Sequence, residues 1–349
     1  MNQYPPTDIF PPPLTAFLNP AMQQDFSAQA ITLIRLAVRE DLGYGPVAFD
    51  PAAPEPESPP RPTPGDATSV AAIPENMQAR ARMIARQNGV VAGLVLMAKI
   101  TAEYSNRIQV ELCAQDGDAV QAGATLATVC GPARAILSAE RVLLNFVGRL
   151  SGIATLTRSF VTAARTSCGP NMACPHICDT RKTTPGWRHL EKYAVRCGGG
   201  LNHRMGLYDG IMLKDNHLAA LAQQLGPGHT LADLTLHVRE NTPREIPVWL
   251  EVDTLSQLAD ALPGGADIIL LDNMPPAELR RAVEMRDRLN AQRRPLLEAS
   301  GGITLANIGD AARTGVERIS IGALTHSAAW MDVSMECDAD DQTGEPCHE

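Results

Sequence analysis

Residues able to do chemistry recur through the C-terminal half of the chain in short clusters, each closing an apolar run. Asp179-Thr180-Arg181-Lys182 follows the run around Ile177, Lys214-Asp215-Asn216-His217 follows 210–213, and Glu251-Val252-Asp253 closes 247–252. Asp272-Asn273 follows 267–271, Ser300-Gly301-Gly302 follows 296–299, and Gly322 follows 318–321. Residues 179–217 hold seven Lys or Arg against four acids. Arginine grips a carboxylate or phosphate with two parallel bonds and lysine acts as a point charge, so the cluster suits a small, multiply anionic substrate. Arg188, Lys192 and Arg196 fall at helical spacing and read as a solvated face. Glu251 and Asp272 add opposite charge, suited to sugar hydroxyls, to a Mg²⁺ carried by a polyphosphate, or to a cationic transition state. A purely structural pairing with Lys214 is the other reading of those two acids. Ser300-Gly301-Gly302 and Ser320-Ile321-Gly322 stand where backbone N–H groups can approach a phosphate, helped by the start of the helix that follows 302.

The apolar runs are the elements that must position these groups. Helical stretches separate them, among them 231–240, 254–262, 276–291 and 304–313. Strand and helix alternating in this way imply right-handed βα units around a parallel sheet. With six such units the expected fold is α/β: a six-stranded, open parallel α/β barrel, whose strand C-termini all open on one rim. Upstream, 77–86 alternates as a half-buried strand broken at Ile84, and Asn88-Gly89 turns the chain. A helix at 93–104 and strands at 107–114 and 124–130 complete a smaller α+β sandwich. A helix at 26–42 precedes it, and a long helical pattern over 138–165 carries Leu143, Val147, Leu150, Ala154 and Val161 on one stripe. The expected organisation is a Pro-rich arm (1–24), an N-terminal α+β domain (25–137) with a Pro-rich loop at 46–64, a barrel (138–331) and an acidic tail (332–349) whose first part returns to the N-terminal domain.

Composition excludes several classes. The 349 residues are 44% hydrophobic and can bury sizeable cores. The net charge of −9 disfavours a general nucleic-acid surface. Seven acids after Met331, with no Lys or Arg, supply −7 of it. No apolar run reaches the roughly 18 residues needed to span a bilayer, and residues 1–20 lack signal-peptide order. A cytoplasmic protein with reduced cysteines is expected. Cys174, His176 and Cys178 would share one face of a strand, and with Cys168 they could offer four metal ligands. Buried thiols in a βα core are the commoner outcome.

The strings themselves resemble a known family. Glu140-Arg141-Val142-Leu143-Leu144-Asn145-Phe146, Ser151-Gly152-Ile153-Ala154-Thr155, Asp179-Thr180-Arg181-Lys182-Thr183-Thr184-Pro185-Gly186, Gly198-Gly199-Gly200-Leu201-Asn202-His203-Arg204 and Leu213-Lys214-Asp215-Asn216-His217 are similar to those of quinolinate phosphoribosyltransferases, also called nicotinate-nucleotide pyrophosphorylases (carboxylating). Leu271-Asp272-Asn273-Met274, Glu298-Ala299-Ser300-Gly301-Gly302-Ile303 and Ser320-Ile321-Gly322-Ala323 continue the match, which runs from about residue 26 to 335.

The resemblance implies transfer of phosphoribosyl from 5-phosphoribosyl-1-diphosphate to quinolinate, with Mg²⁺, giving nicotinate mononucleotide, diphosphate and CO₂ for NAD synthesis. It implies that Arg181, His203 and Arg204 hold the quinolinate carboxylates beside Thr180, with Arg141 reaching in from a neighbouring subunit of a homodimer or a hexamer of dimers. Lys182 and Lys214 would face the diphosphate and the reacting centre. Glu251 and Asp272 would meet ribose hydroxyls and Mg²⁺, and Ser300, Gly301, Gly302, Ile321, Gly322 and Ala323 the 5-phosphate. One departure is the separation of Glu40-Asp41-Leu42-Gly43 from Gly65-Asp66-Ala67-Thr68 by the Pro-rich stretch, which reads as an inserted surface loop. From the residues alone, a barrel aldolase using Lys214 as a Schiff base and a non-catalytic sugar-phosphate-binding protein remain as rivals.

Overall fold

The alternation over 77–86 folds as a strand, β1 (Gln78–Ala85), and its irregularity at Ile84 becomes a register shift between Met83 and Ile84 in the pairing with a neighbour. The computed structural model describes residues 20–43, 65–169, 172–226, 228–289 and 294–337. The Pro-rich segment before Pro20, the loop 46–64 and the acidic residues after Cys337 lie outside the described residues. After β1 come β2 (Gly89–Val90), β3 (Gln109–Leu112), β4 (Ala119–Val120) and β5 (Thr125–Pro132). Then follow β6 (His176–Cys178), β7 (Ile211–Leu213), β8 (Val248–Val252), β9 (Ile268–Asp272), β10 (Leu296–Ser300), β11 (Arg318–Ser320) and β12 (Val333–Cys337).

The chain divides into two units, the first of Met1–Thr155, Pro185–Cys197 and Ala328–Glu349, the second of Leu156–Thr184 and Gly198–Ser327. In the first, an antiparallel sheet runs β12-β1-β5-β3, with β2 and β4 paired separately. The expected 138–165 helix spans Ala133–Cys168, and the five residues of its predicted stripe are all buried. The units part within this helix rather than at its start. The reason is local: Ser151 Oγ accepts the Ala92 N–H and Thr155 Oγ1 the Val90 N–H, binding the first half of the helix to the small strands. Helix Arg188–Cys197 joins the same unit through Tyr193, which donates to Asp116 at 2.6 Å, and Glu191, which pairs with Arg149 at 2.6 Å. Burial pushes the Asp116 carboxyl up against the opposing pull of that hydrogen bond. Lys192, read from sequence as solvated, is buried, because the helix turns that face inward.

The second unit is a parallel sheet in the order β6-β11-β10-β9-β8-β7, with helices between strands. β8 and β9 read as nearly continuous apolar runs, as strands covered on both faces do. Thr230 and Thr254 cap helices Leu231–Glu240 and Leu255–Ala261, each accepting from the N–H three residues on. The sheet curls: Leu201 bridges to β6, yet His203, two residues on, stacks on Trp249 of β8 at 4.7 Å. Across a flat sheet of ~4.8 Å strand spacing that contact is out of reach. Segment 201–204 therefore fills the gap between edge strands β6 and β7, and the open barrel follows. No helix among the described residues is long and apolar enough to cross a membrane.

Candidate active site

All the expected strand-end clusters lie in the second unit, and sheet order dictates who meets whom. After β6, Thr180 Oγ1 accepts the Lys182 N–H at 3.0 Å, and buried Thr325 donates its hydroxyl to the Lys182 carbonyl at 2.7 Å. Arg181 and Lys182 are thereby presented as exposed side chains on a pinned backbone. β11 pairs with β6, so Gly322 comes under the Lys182 stem: a Cβ there would meet Lys182 Cδ at 3.0 Å and His326 Nε2 at 3.2 Å. Ile321 donates its N–H to Cys178 and is buried, and Ala323 opens a four-residue helix. After β10, Gly301 and Gly302 take φ of +90° and +63°, values that favour glycine, and the space around a Cβ at 302 is open. The helix expected from 304 begins at Ile308. Asn307 holds the intervening turn, accepting the Thr304 N–H at 2.7 Å and donating to the Gly302 carbonyl at 2.9 Å. Any anion at Gly301-Gly302 thus meets loop backbone rather than a helix end.

On the other side, Lys214 closes β7, its N–H donating to His217 Nδ1 at 3.2 Å in the first turn of helix Asp215–Leu225. Its Nζ pairs with Glu251 Oε2 of β8 at 2.5 Å. The structural pairing considered from the sequence is therefore present. With the side chains 43% and 20% exposed, such a pair contributes only about 0–1 kcal/mol to stability, so fold maintenance is a weak reason for it. Asp272 ends β9 beside Ser300 of β10, half-buried like Glu251.

Arg204 lies near enough to Arg181 to feel its charge. Desolvation first, and the positive charge of Arg181 second, lower the pKa of Arg204, partly countered by Asp209. Asp209 is itself occupied, accepting the Met205 and Gly206 N–H groups at 2.7 and 2.8 Å. Arg204 Nη1 donates to the Gly210 carbonyl at 2.8 Å, fixing the fork. No ion-pair partner of Arg181, Lys182 or Arg204 within 4 Å is present among the described residues. Guanidinium and ammonium groups without a carboxylate partner make a site for a multiply charged anion.

His203 lies below this surface. Its Nδ1 accepts the Arg204 N–H at 2.7 Å, and its Nε2 stands 3.4 Å from Glu298 Oε1. Glu298 also accepts from Arg318 at 2.7 Å and from Trp249 Nε1 at 3.4 Å. Burial pushes its carboxyl up, but His203 and Arg318 beside it outweigh burial and hold it down at about 2. Asp179, fully buried, accepts the His203 N–H at 2.9 Å and the Asn202 amide at 2.5 Å. Sequence reasoning missed Asp179, Glu298, Asn273 and Thr325 as site-building residues. Each is adjacent to, or within a few positions of, an assigned residue, and a polar side chain inside an apolar strand, as in Leu296-Leu297-Glu298-Ala299, was the signal available for Glu298. Arg141 is exposed on helix Ala133–Cys168, in the first unit.

Among the described residues no group of three or more His, Cys, Asp or Glu is placed to hold a metal ion. Cys168 hydrogen-bonds the Ala312 carbonyl at 3.8 Å, and burial, with Cys168 nearby, pushes the Cys174 thiol up to about 12. Two half-buried carboxylates on adjacent strands, Glu251 and Asp272, fit a hard, oxygen-seeking cation that arrives with phosphate and keeps several waters.

Comparison with known proteins identifies the family. The N-terminal domain of quinolinate phosphoribosyl transferase matches residues 66–151, and the C-terminal domain of the same family matches 153–336. The probable nicotinate-nucleotide pyrophosphorylase [carboxylating] of Bacillus subtilis (strain 168) is 41% identical over 283 residues, covering 81% of this chain and 91% of the relative. The nicotinate-nucleotide pyrophosphorylase [carboxylating] of Mycobacterium leprae (strain TN) is 39% identical over 309 residues, covering 87% and 95%. The solved structure of the nicotinate-nucleotide pyrophosphorylase from Francisella tularensis superposes with a TM-score of 0.73 at 30% identity, covering 89% of this chain and 96% of that one. With both domains matched and relatives of this identity spanning most of its length, the chain belongs to the quinolinate phosphoribosyl transferase family.

Proposed function

We propose that the second unit transfers phosphoribosyl from 5-phosphoribosyl-1-diphosphate to quinolinate with loss of CO₂, making nicotinate mononucleotide for NAD synthesis. The observation that carries the reading is a set of cations without ion-pair partners within 4 Å among the described residues: Arg204, its Nη1 held on the Gly210 carbonyl, and Arg181 and Lys182 after β6, on the same sheet whose strands β8 and β9 end in Glu251 and Asp272. Quinolinate has two carboxylates to satisfy the arginines, and the donor has a phosphate for the Gly301-Gly302 and Gly322 backbone and a diphosphate for Lys182 and Lys214. Glu251 and Asp272 take the ribose hydroxyls. Magnesium brought by the diphosphate would be held by Glu251 and Asp272, and when bound it would neutralise leaving-group charge.

As the C1–O bond breaks, its electron pair leaves with diphosphate, which Lys182 and Lys214 neutralise. Glu251 and Asp272 stabilise the oxocarbenium-like sugar, and the quinolinate nitrogen attacks C1. The C2–carboxylate bond then breaks, releasing CO₂, and the electron pair left on C2 is stabilised by the adjacent cationic nitrogen until it takes a proton. Side-chain charges held in place before the reaction, and aimed at the charge that develops during it, give such a site most of its rate acceleration. A Schiff-base lyase is disfavoured, because Lys214 is paired with Glu251 instead of desolvated in an apolar pocket.

Arg141, exposed on its helix, is assigned by the family resemblance to the site of a second copy, in an assembly of at least two chains. Arg204→Ala should raise the quinolinate KM by about tenfold or more, since a charge-assisted bidentate grip is lost, and leave the donor KM near its original value. If Arg141 completes a neighbour's site, then at quinolinate well below the variants' KM, mixing Arg141→Ala with Arg204→Ala chains raises activity above that of either alone, toward about a quarter of the original in a dimer. Unchanged quinolinate KM in Arg204→Ala would contradict the carboxylate role, and absence of complementation would contradict the shared site.

A further inference from the structure

Asn273 is the only non-glycine with a left-handed backbone among the described residues, at φ +54°. Asparagine tolerates that region better than other residues with a side chain, yet strain persists only where surrounding contacts hold it. Here there are three. The Asn273 N–H donates to the Ser300 carbonyl at 2.8 Å, extending the β9–β10 ladder one step past the register pair Asp272–Ser300. Its side-chain Nδ2 donates to Asp272 Oδ2 at 2.7 Å. Its side-chain carbonyl fills the space above Gly301, where a Cβ would collide with Asn273 Oδ1 and stand 2.6 Å from Cγ. Without the left-handed turn, the amide could not double back to its own neighbour's carboxylate while covering the glycine.

We propose that Asn273 is a positioning residue for the donor. It fixes one oxygen of Asp272 by hydrogen bond, leaving the other oxygen for the ribose hydroxyls. By seating against Gly301 it also ties that carboxylate to the loop that takes the 5-phosphate. The two groups that hold the two ends of the phosphoribosyl moiety then keep one spacing. This rests on the phosphoribosyl-transfer reading above, though only on its donor half. It also explains why residue 301 must be glycine for a reason beyond its own φ of +90°: the place of its side chain is taken by the amide of residue 273.

The test is a double-mutant cycle on the full-length protein, reading direct binding of 5-phosphoribosyl-1-diphosphate by calorimetry as well as donor KM and kcat. Asn273→Gly keeps the left-handed backbone without strain and removes only the amide, so its melting temperature should stay equal or rise. Its donor affinity should fall by about tenfold, the size of a coupling between contacting groups. In an Asp272→Ala background the same change should cost little further, because the carboxylate that the amide holds is gone. Asn273→Asp, isosteric but facing Asp272 with a second negative charge, should be at least as impaired as Asn273→Gly. Full donor affinity in Asn273→Gly, or an equal loss with and without Asp272, overturns the proposal. Donor binding that behaves as expected while quinolinate is not consumed would leave Asn273 in place and instead remove the acceptor reading.

Discussion

At the scale of single residues, the site is a set of charges whose partners are anions the protein does not supply. Arg181, Lys182 and Arg204 point to one class of ligand because no ion-pair partner lies within 4 Å of them among the described residues, whereas Arg149, Arg239 and Arg286 each sit in carboxylate pairs. Lys214 is intermediate, paired with Glu251 but half-exposed, so it can exchange that partner for diphosphate at little cost. Lys214→Ala should therefore cut kcat by about a hundredfold, the usual consequence of losing one electrostatic contact to developing charge. Its unfolding free energy should change by no more than about 1 kcal/mol. Turnover close to that of the unmodified protein would remove Lys214 from the reaction. Arg181, Lys182 and Lys214 stood out in the sequence because each followed an apolar run, whereas Arg204 entered only through the family resemblance. The role of His203 was less legible: its place in the string suggested a substrate contact, while its stacking on Trp249 and its approach to Glu298 depend on the curl of the sheet, which no local pattern reveals.

At the scale of elements, six parallel strands deliver the groups to one rim, and a buried layer one step below keeps the rim in place. Glu298, in register with Leu270 on β9 and Arg318 on β11, is the centre of that layer. Its carboxyl sits at about 2 when folded against an ordinary 4.5. The stability it contributes is therefore fully present above about pH 4.5 and is lost as pH falls toward 2. Glu298→Gln, which leaves Arg318 without its buried counter-charge, should destabilise the protein by about 3 kcal/mol at neutral pH. Denaturant unfolding across pH should show that difference shrinking through the acid window; a difference independent of pH would refute the ionised pair. The strands carrying site residues were readable from apolar runs bounded by polar clusters. Short elements were not: the helix Ala67–Ala72 and strand pair β2–β4 are too short for periodicity to register, and β12 owes its strand form to pairing with β1 across most of the chain length. The helix expected from 304 starts later because the Asn307 turn outcompetes the first helical turn, a side-chain effect that apolar spacing does not encode.

At the scale of the whole molecule, bulk charge misdirects. The −9 is mostly the acid-rich C-terminal stretch, while the second unit concentrates positive charge where the anions would bind. The sequence changes from antiparallel to βα patterning near the long helix Ala133–Cys168, and the two units part inside that helix. That boundary was not legible in the sequence, since hydrogen bonds from Ala92 and Val90 decide it. What the whole molecule must do is join a pyridine dicarboxylate to a phosphoribosyl group and lose one carboxylate. The most direct measurement is a parallel assay of the purified protein with 5-phosphoribosyl-1-diphosphate, Mg²⁺ and, separately, quinolinate, nicotinate and nicotinamide, following mononucleotide, diphosphate and CO₂. The predicted result is nicotinate mononucleotide from quinolinate alone, with one diphosphate and one CO₂ for each quinolinate consumed. Turnover of nicotinate without turnover of quinolinate would contradict it.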